Sequence, residues 1–512
     1  MGSRQPRQTK AEQQQEALSI IKKVATNQQW EFFHDGESEP WVTFPVNGHR
    51  ETHKVESRAF WHYIGQCLWL VAQSAPEEVI ALYVQRAKQM AFYEGPQLDV
   101  HLRVASHDGR VYVDLCDDDW RVVEISADGW TVLADSPLKF RREAGMQALP
   151  VPSYGGKLSD LGAFINVRDR DQLLVFAWLT YTLAGRKGPF PPLAFAGNHG
   201  TGKSAMTGFF RKLIDPNKAL FTGVPRSGRD LAISAHHSFL LAYDNLGALS
   251  ATMSDELCKA ATGSGFRTRQ LYTDTREIII NFRAPIIING ITNVVTKPDL
   301  LDRTLFLGTQ TLKQVDHTLE SRFEEARPSL FGAMLTIISA GLRHIDDVVI
   351  EGQPPRMVEF ARWGSAIEEV LGFEKGTFIK NYRESIADGS AVARENSPLA
   401  QLLPMFLKTS GKFHGTALQL RNRLLAFAKS DTNLAPLIKD AAFPRSAAKL
   451  SQHLNEIAPL LRKEKIRLDH KREAQTRWII LDPEDARPSV IRHPFDNTGN
   501  DAMTADGGPS IH

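Results

Sequence analysis

Apolar and polar positions alternate in "WVTFPV", "VHLRVA", "RVYVDL", "RVVEI" and "WTVLA", all between residues 41 and 134, and this alternation predicts five strands. Residues 58 to 92 carry helical spacing over two segments, so the stretch 31–150 reads as a small α+β domain whose role is not legible in the sequence. Ahead of it, residues 1–30 form a polar arm in which "AEQQQEALSIIKKVA" has the spacing of a short amphipathic helix. The Pro/Gly density of "LPVPSYGGK" predicts a linker and a boundary near 150. From there the pattern changes to continuous apolar runs, "LAFA", "SFLLAYDNL", "APIIING" and "RTLFLGT", interleaved with helical segments such as "RDQLLVFAWLTYTLAG". Such runs predict buried strands of an open α/β sheet over residues 155–335. Residues 336–400 read as a helical lid or linker. Residues 405–483 read as two helices and a hairpin, the order of a winged helix, and 484–512 have a disordered composition. No internal repeat is present.

A length of 512 residues supports this division into several domains. Charge is nearly balanced, 61 Lys and Arg against 59 Asp and Glu, so any nucleic-acid surface must be local. The three cysteines, Cys67, Cys116 and Cys258, form neither a CxxC nor a Cys/His cluster, which argues against a disulfide framework and a structural zinc. No apolar run approaches the ~20 residues of a membrane span, and the first thirty residues are not signal-like. A cytoplasmic protein without membrane contacts is expected.

The chemistry concentrates after "LAFA". Gly197, Asn198, His199, Gly200, Thr201, Gly202, Lys203 and Ser204 complete a GxxxxGK[ST] loop between a strand and an amphipathic helix. There, backbone N–H groups and the helix N-terminus turn toward phosphates, Lys203 reaches the β- and γ-phosphates, and Ser204 ligates Mg²⁺. ATP and Mg²⁺ are therefore the expected cofactors. A ligand-free glycine turn is the plainer alternative, disfavoured by the strand and helix that flank the loop. Asp244 ends the next buried strand 41 residues after Lys203, where a carboxylate holds Mg²⁺ through water. Its neighbour, Asn245, stands where many P-loop motors carry a glutamate. Asn289 ends a third strand and is a candidate for positioning the attacking water, the competing reading being a turn residue before Gly290.

The order of the loop, "YDNL" and "DELCKAATGSGFRTRQLYTDTREIIINFRAPIIINGITNVVTKPDLLDR" resembles the superfamily 3 helicase core of primase-helicases from phages, viruses and mobile elements, especially the prophage-type ATPases. The resemblance is firm over about 155–335 and weaker over "HDGESEPWVTFPV", "HDGRVYVDL" and "RMVEFARWG". It implies an AAA+-like P-loop NTPase core acting as a ring, a hexamer in the family, on single-stranded or forked DNA, with a primase or another replication protein as partner. It further implies DNA contacts by Arg267 and Arg269, with Lys259 nearby, although two arginines on a loop also suit a solvated surface. Arg303 is implied as an arginine finger, against the alternative of a salt bridge with Asp299 or Asp302. Arg362 is implied as a second nucleotide sensor. Two departures matter: Thr262-Gly263-Ser264-Gly265 lacks the family's Asp, and Asn245 replaces the second carboxylate. Asn245 would then position water while the base is Asp244 or a nearby acid, Asp255 or Glu256.

Between Arg445 and Arg477 there are nine Lys and Arg against four Asp and Glu, the clearest local basic excess. Arg445, Lys449, Lys471, Arg472 and Arg477 are expected phosphate contacts, the alternative being the solvated face of a protein-binding module. Asp114, Asp117, Asp118 and Asp119 admit a primase metal site, but a polar turn between two strands explains them with fewer assumptions. The expected whole is an ATP-dependent DNA helicase or translocase of a prophage or mobile element, with a loading or remodelling ATPase as the rival reading.

Overall fold

A computed structural model describes residues 9–197, 200–247, 249–263, 266–269, 277–280, 282–290, 294–312, 314, 316–440, 442–473 and 476–484; for 266–269 and 277–280 it describes the backbone. The chain divides into two compact units, Met1–Ala393 and Arg394–His512.

At the centre of the first unit is a four-stranded parallel sheet. Leu193–Ala196 pairs with Ile286–Gly290 on one side and with Leu305–Gly308 on the other, and Leu241–Leu246 pairs beyond Ile286–Gly290. Thr222 adds a parallel bridge to Tyr243 at that edge. The runs "LAFA" and "IIING" are apolar because helices cover both faces of such a sheet. Helix Asp169–Leu183 is buried almost throughout, apolar all round as an interior helix must be, and its Trp178 indole donates to the Pro191 carbonyl at 2.8 Å.

The predicted N-terminal strands and helices are present in two groups. Helices Lys10–Asn27, Arg58–Ala72 and Glu77–Gln89 enclose a core with the antiparallel sheet Glu31–His34, Pro40–Val46 and His49–Lys54. The helix predicted in the polar arm is thus docked, with Ala17, Ile21 and Ala25 buried in that core. The second group is a four-stranded meander, Val104–His107, Arg110–Asp114, Val122–Ser126 and Gly129–Leu133. Its Val111, Val113, Val123 and Ile125 share one hydrophobic core with the helices around the parallel sheet.

The boundary expected near 150 therefore does not coincide with a break in packing. The glycines and prolines read as a linker belong to a segment laid along helix Leu319–His344. There Ser153 N donates to the Pro328 carbonyl at 3.1 Å, and a Cβ on Gly332 would collide with Ser153. The acidic run is structural: Asp114 accepts from Arg142 at 2.6 Å and Asp117 from Arg121 at 2.7 Å. Among the described residues, no group of three His, Cys, Asp or Glu side chains could cage a metal. Among them also, no helix is long and apolar enough to cross a membrane.

One buried pair joins these layers. Arg103 and Asp215 are both fully buried, and Arg103 Nε donates to Asp215 Oδ1 at 3.0 Å. Arg103 also donates to the Asp114 carbonyl at 2.9 Å and the Gln147 carbonyl at 3.1 Å. Asp215 Oδ2 accepts from the backbone N–H groups of Phe239 and Leu240, at 3.1 and 3.2 Å. Asp215 follows helix Lys203–Ile214, and Leu240 precedes strand Leu241–Leu246, so one carboxylate ties the bases of both elements to the meander.

In the second unit, helices Pro398–Ser410, Ala417–Lys429 and Ala447–Lys463 pack with a sheet in which Thr476–Pro483 lies between Phe413–Gly415 and Ile466–Glu473. The predicted helix, helix, hairpin order is present. The last helix is capped by Ser446, which accepts from Lys449 N at 3.2 Å.

Removing one partner of a buried pair strands the other charge. Arg103→Ala is expected to cost ~3–5 kcal/mol, read as a fall in the thermal unfolding midpoint. An unchanged midpoint would show that Asp215 is satisfied by its other donors, Ser238 Oγ and the backbone N–H groups.

Candidate functional site

The loop after Leu193–Ala196 enters helix Lys203–Ile214 through Gly202, whose φ of 79° is left-handed and open to glycine at little cost. Lys203 is buried and its Nζ donates to the Gly197 carbonyl at 2.8 Å, which curls the ammonium under the loop. Burial pushes its pKa below the ordinary lysine value, and the Asp244 carboxylate opposes that shift. Asn198 and His199, the loop residues expected to meet the nucleotide beside them, lie outside the described residues.

Strand order explains why distant residues meet. The Asn289 strand lies between strand Leu193–Ala196, which leads into the loop, and the Asp244 strand, and all three are parallel, so their carboxyl ends share one edge. There Asp244 Oδ1 accepts from Asn289 Nδ2 at 2.5 Å, from Ser204 Oγ at 3.2 Å and from Asn245 N at 2.8 Å. Asn289 Nδ2 also lies 3.4 Å from Ser204 Oγ. Asn289 is 2% exposed, so its amide is spent inside the cluster rather than on solvent. A hydroxyl and a carboxylate at this distance suit Mg²⁺, which takes few protein ligands and completes its shell with water and substrate phosphates.

Asn245 itself is exposed, with a left-handed φ of 57°, at a register shift in the strand pairing. Among non-glycine residues Asn adopts this conformation most readily, whereas glutamate has no such tolerance. The residue that reads as a lost carboxylate therefore has a backbone reason: the turn delivers its N–H to Asp244.

The other expected acids and cations lie elsewhere. Asp255 is paired with Lys297, and Glu256 accepts from Lys259 at 2.9 Å, so neither joins the cluster. Arg303 Nε and Nη2 each lie 3.2 Å from the Asp299 carboxylate, which Arg356 also contacts at 2.6 Å. Arg303 precedes strand Leu305–Gly308 and so lies at the amino edge of the sheet, about 13 Å of strand away from the edge that carries Asp244. Arg362 donates to the Ile345 carbonyl at 2.9 Å and lies 3.5 Å from Glu359. Arg267 and Arg269 lie on strand Phe266–Arg269, paired antiparallel with Glu277–Ile280; their side chains are outside the described part. In the second unit, Arg445, Lys449, Lys471, Arg472 and Arg477 are all exposed.

Residues 157–390 match the model of a family described as the actinomycete integrative conjugative element replication protein, and residues 399–492 match that of the C-terminal domain of the same RepA proteins. The two segments mark a replication protein of a mobile element. No curated protein matches the chain significantly. Among solved structures, two apo structures of the NrS-1 C-terminal region each give a TM-score of 0.38 at 12% identity, covering 91% of this chain and 99% of that one. A likeness at this level decides neither fold nor function.

Two residues of this replication protein's site were not singled out from sequence. Thr309 Oγ1 lies 2.9 Å from Thr201 Oγ1 and 3.2 Å from the Ala196 carbonyl, and a Cβ on Gly197 would run into it. Asn166 Nδ2 donates to the Thr201 and Gln310 carbonyls at 3.0 and 2.6 Å. Together they brace the loop from outside its own segment.

Thr309→Val keeps the shape and removes the hydroxyl. It is expected to weaken binding of a fluorescent ATP analogue by up to about tenfold, with Thr309→Ser restoring it; wild-type affinity for the valine variant would show that the brace is dispensable. Asn245→Gly should keep the wild-type melting midpoint, while Asn245→Glu lowers stability by ~1 kcal/mol. Equal midpoints would remove the backbone explanation.

Proposed function

We propose that this replication protein is an ATP-driven DNA helicase or translocase with an AAA+-like superfamily 3 core, working as a ring. The observation that carries the reading is the convergence of Ser204, Asp244 and Asn289 at the sheet edge that receives the GxxxxGKS loop. Lys203 and the loop N–H groups bind the β- and γ-phosphates of ATP. Ser204 and Asp244 hold Mg²⁺, which when bound neutralises charge on the phosphate oxygens. Asn289 donates to Asp244 through its nitrogen, leaving its oxygen to orient the attacking water. Among the three candidate bases, Asp244 alone sits in the cluster, so it takes the water's proton as the new P–O bond forms and the bond to ADP breaks. Because phosphoryl transfer depends mostly on positioning and electrostatics, Asn245 in place of a second carboxylate slows this step without abolishing it.

Arg303 lies at the wrong sheet edge to serve its own subunit, which supports a role on a neighbour's ATP after release from Asp299. Arg267 and Arg269 would follow the phosphate backbone of a strand in the ring, and the basic face of the second unit, built as a winged helix, would bind DNA as well. The rival reading, a loader or remodelling ATPase without unwinding, draws on Asn245.

Unwinding of a forked duplex separates the two. The motor predicts ATP-dependent strand release that Lys203→Ala abolishes, whereas turnover without release would establish the loader. Arg303→Ala is expected to lower turnover by about a thousandfold with ATP binding intact; wild-type turnover of this variant would exclude a finger role.

A further inference from the structure

The second unit carries a face more specific than phosphate binding requires. Along helix Ala447–Lys463, Leu450, Leu454, Ile457 and Leu461 are buried. The opposite face presents Lys449, Gln452 and Glu456, spaced by three and four residues, which aligns them in one row, and Arg445 stands just ahead of the Ser446 cap. Gln452 Nε2 donates to Glu456 Oε1 at 2.9 Å, so the row holds a pre-oriented amide and carboxylate after its lysine. For non-specific attraction to a polyanion, a carboxylate in the row is a cost and a glutamine adds little. Both are matched to base edges: glutamine to adenine, a carboxylate to the amino group of cytosine, and lysine to guanine.

The hairpin beside the helix has the opposite character. Arg472 and Arg477 are directly opposed across the strands near its tip, with Lys471 next to them and paired with Glu473 at 2.7 Å. Like charges in that position destabilise a hairpin unless an anion lies between or beside them. His470, from the same strand, is hydrogen-bonded to Asn455 at 2.7 Å, which fixes the hairpin against the flank of the helix row. Base-reading groups and phosphate-binding groups are thus held in one register.

We propose that this face recognises a specific sequence in double-stranded DNA, the helix row reading base edges in the major groove while Arg472 and Arg477 grip the adjoining backbone. The inference rests on the proposed DNA-binding role of this unit and adds sequence and duplex selectivity to it. The major groove of B-form DNA admits a helix, whereas the deep, narrow groove of A-form RNA does not.

The test is selection of bound duplexes from a random-sequence DNA library by the full chain without nucleotide, followed by titration of the enriched duplex and a scrambled one. One enriched motif is expected, bound at least about tenfold more tightly than the scramble. Gln452→Ala should bring that ratio toward one with scramble affinity retained, whereas Arg472→Ala should weaken both duplexes equally and lower the salt dependence. Circular dichroism confirms that each variant is folded. Binding without enrichment, a preference for single strands or RNA, or an unchanged ratio in Gln452→Ala would overturn the inference. If a variant lacking Arg445, Lys449, Arg472 and Arg477 binds every DNA as wild type does, the DNA-binding role of the unit itself fails.

Discussion

The Arg103–Asp215 pair is the constraint on which the site depends. A fully buried carboxylate must have its charge answered, and here Arg103 from the meander and two N–H groups ahead of the Asp244 strand answer it. The base of the phosphate-binding helix and the base of the Asp244 strand are thereby fixed to each other and to a layer outside the parallel sheet. With the bases fixed, the carboxyl ends can hold a hydroxyl, a carboxylate and an amide within hydrogen-bonding reach, which a looser assembly would not maintain.

The same logic governs the loop. Its backbone must stay open toward a ligand, and its support comes from Asn166 and Thr309 on segments before and after it. Arg303 lies just before the strand that ends beside Thr309. Support for one subunit's phosphate loop and the residue proposed to serve the next subunit therefore flank a single short strand, Leu305–Gly308.

Much of this was legible in the sequence. The apolar runs gave the strands, and the GxxxxGKS spacing with Asp244 and Asn289 gave the residues that converge. Strand order was not legible, because period and propensity say nothing about which strands are neighbours, and it is the order that places Asn289 between the other two. The unity of the meander with the core was hidden because Gly and Pro mark close packing as readily as they mark linkers. Asp215 left a faint signal, since a carboxylate at a helix C-terminus opposes the helix dipole and calls for a compensating partner. Asn245 read as a missing acid because the sequence shows side-chain chemistry and conceals φ.

The central claim is that Asp244, held by Asn289 and Ser204, is the heart of a working ATPase. The most direct measurement is the Mg²⁺-dependent ATP turnover of the full chain, with and without single-stranded DNA, beside Asp244→Ala. Turnover that DNA stimulates and that the substitution abolishes is expected. Turnover that is insensitive to DNA and equal in the variant would contradict it.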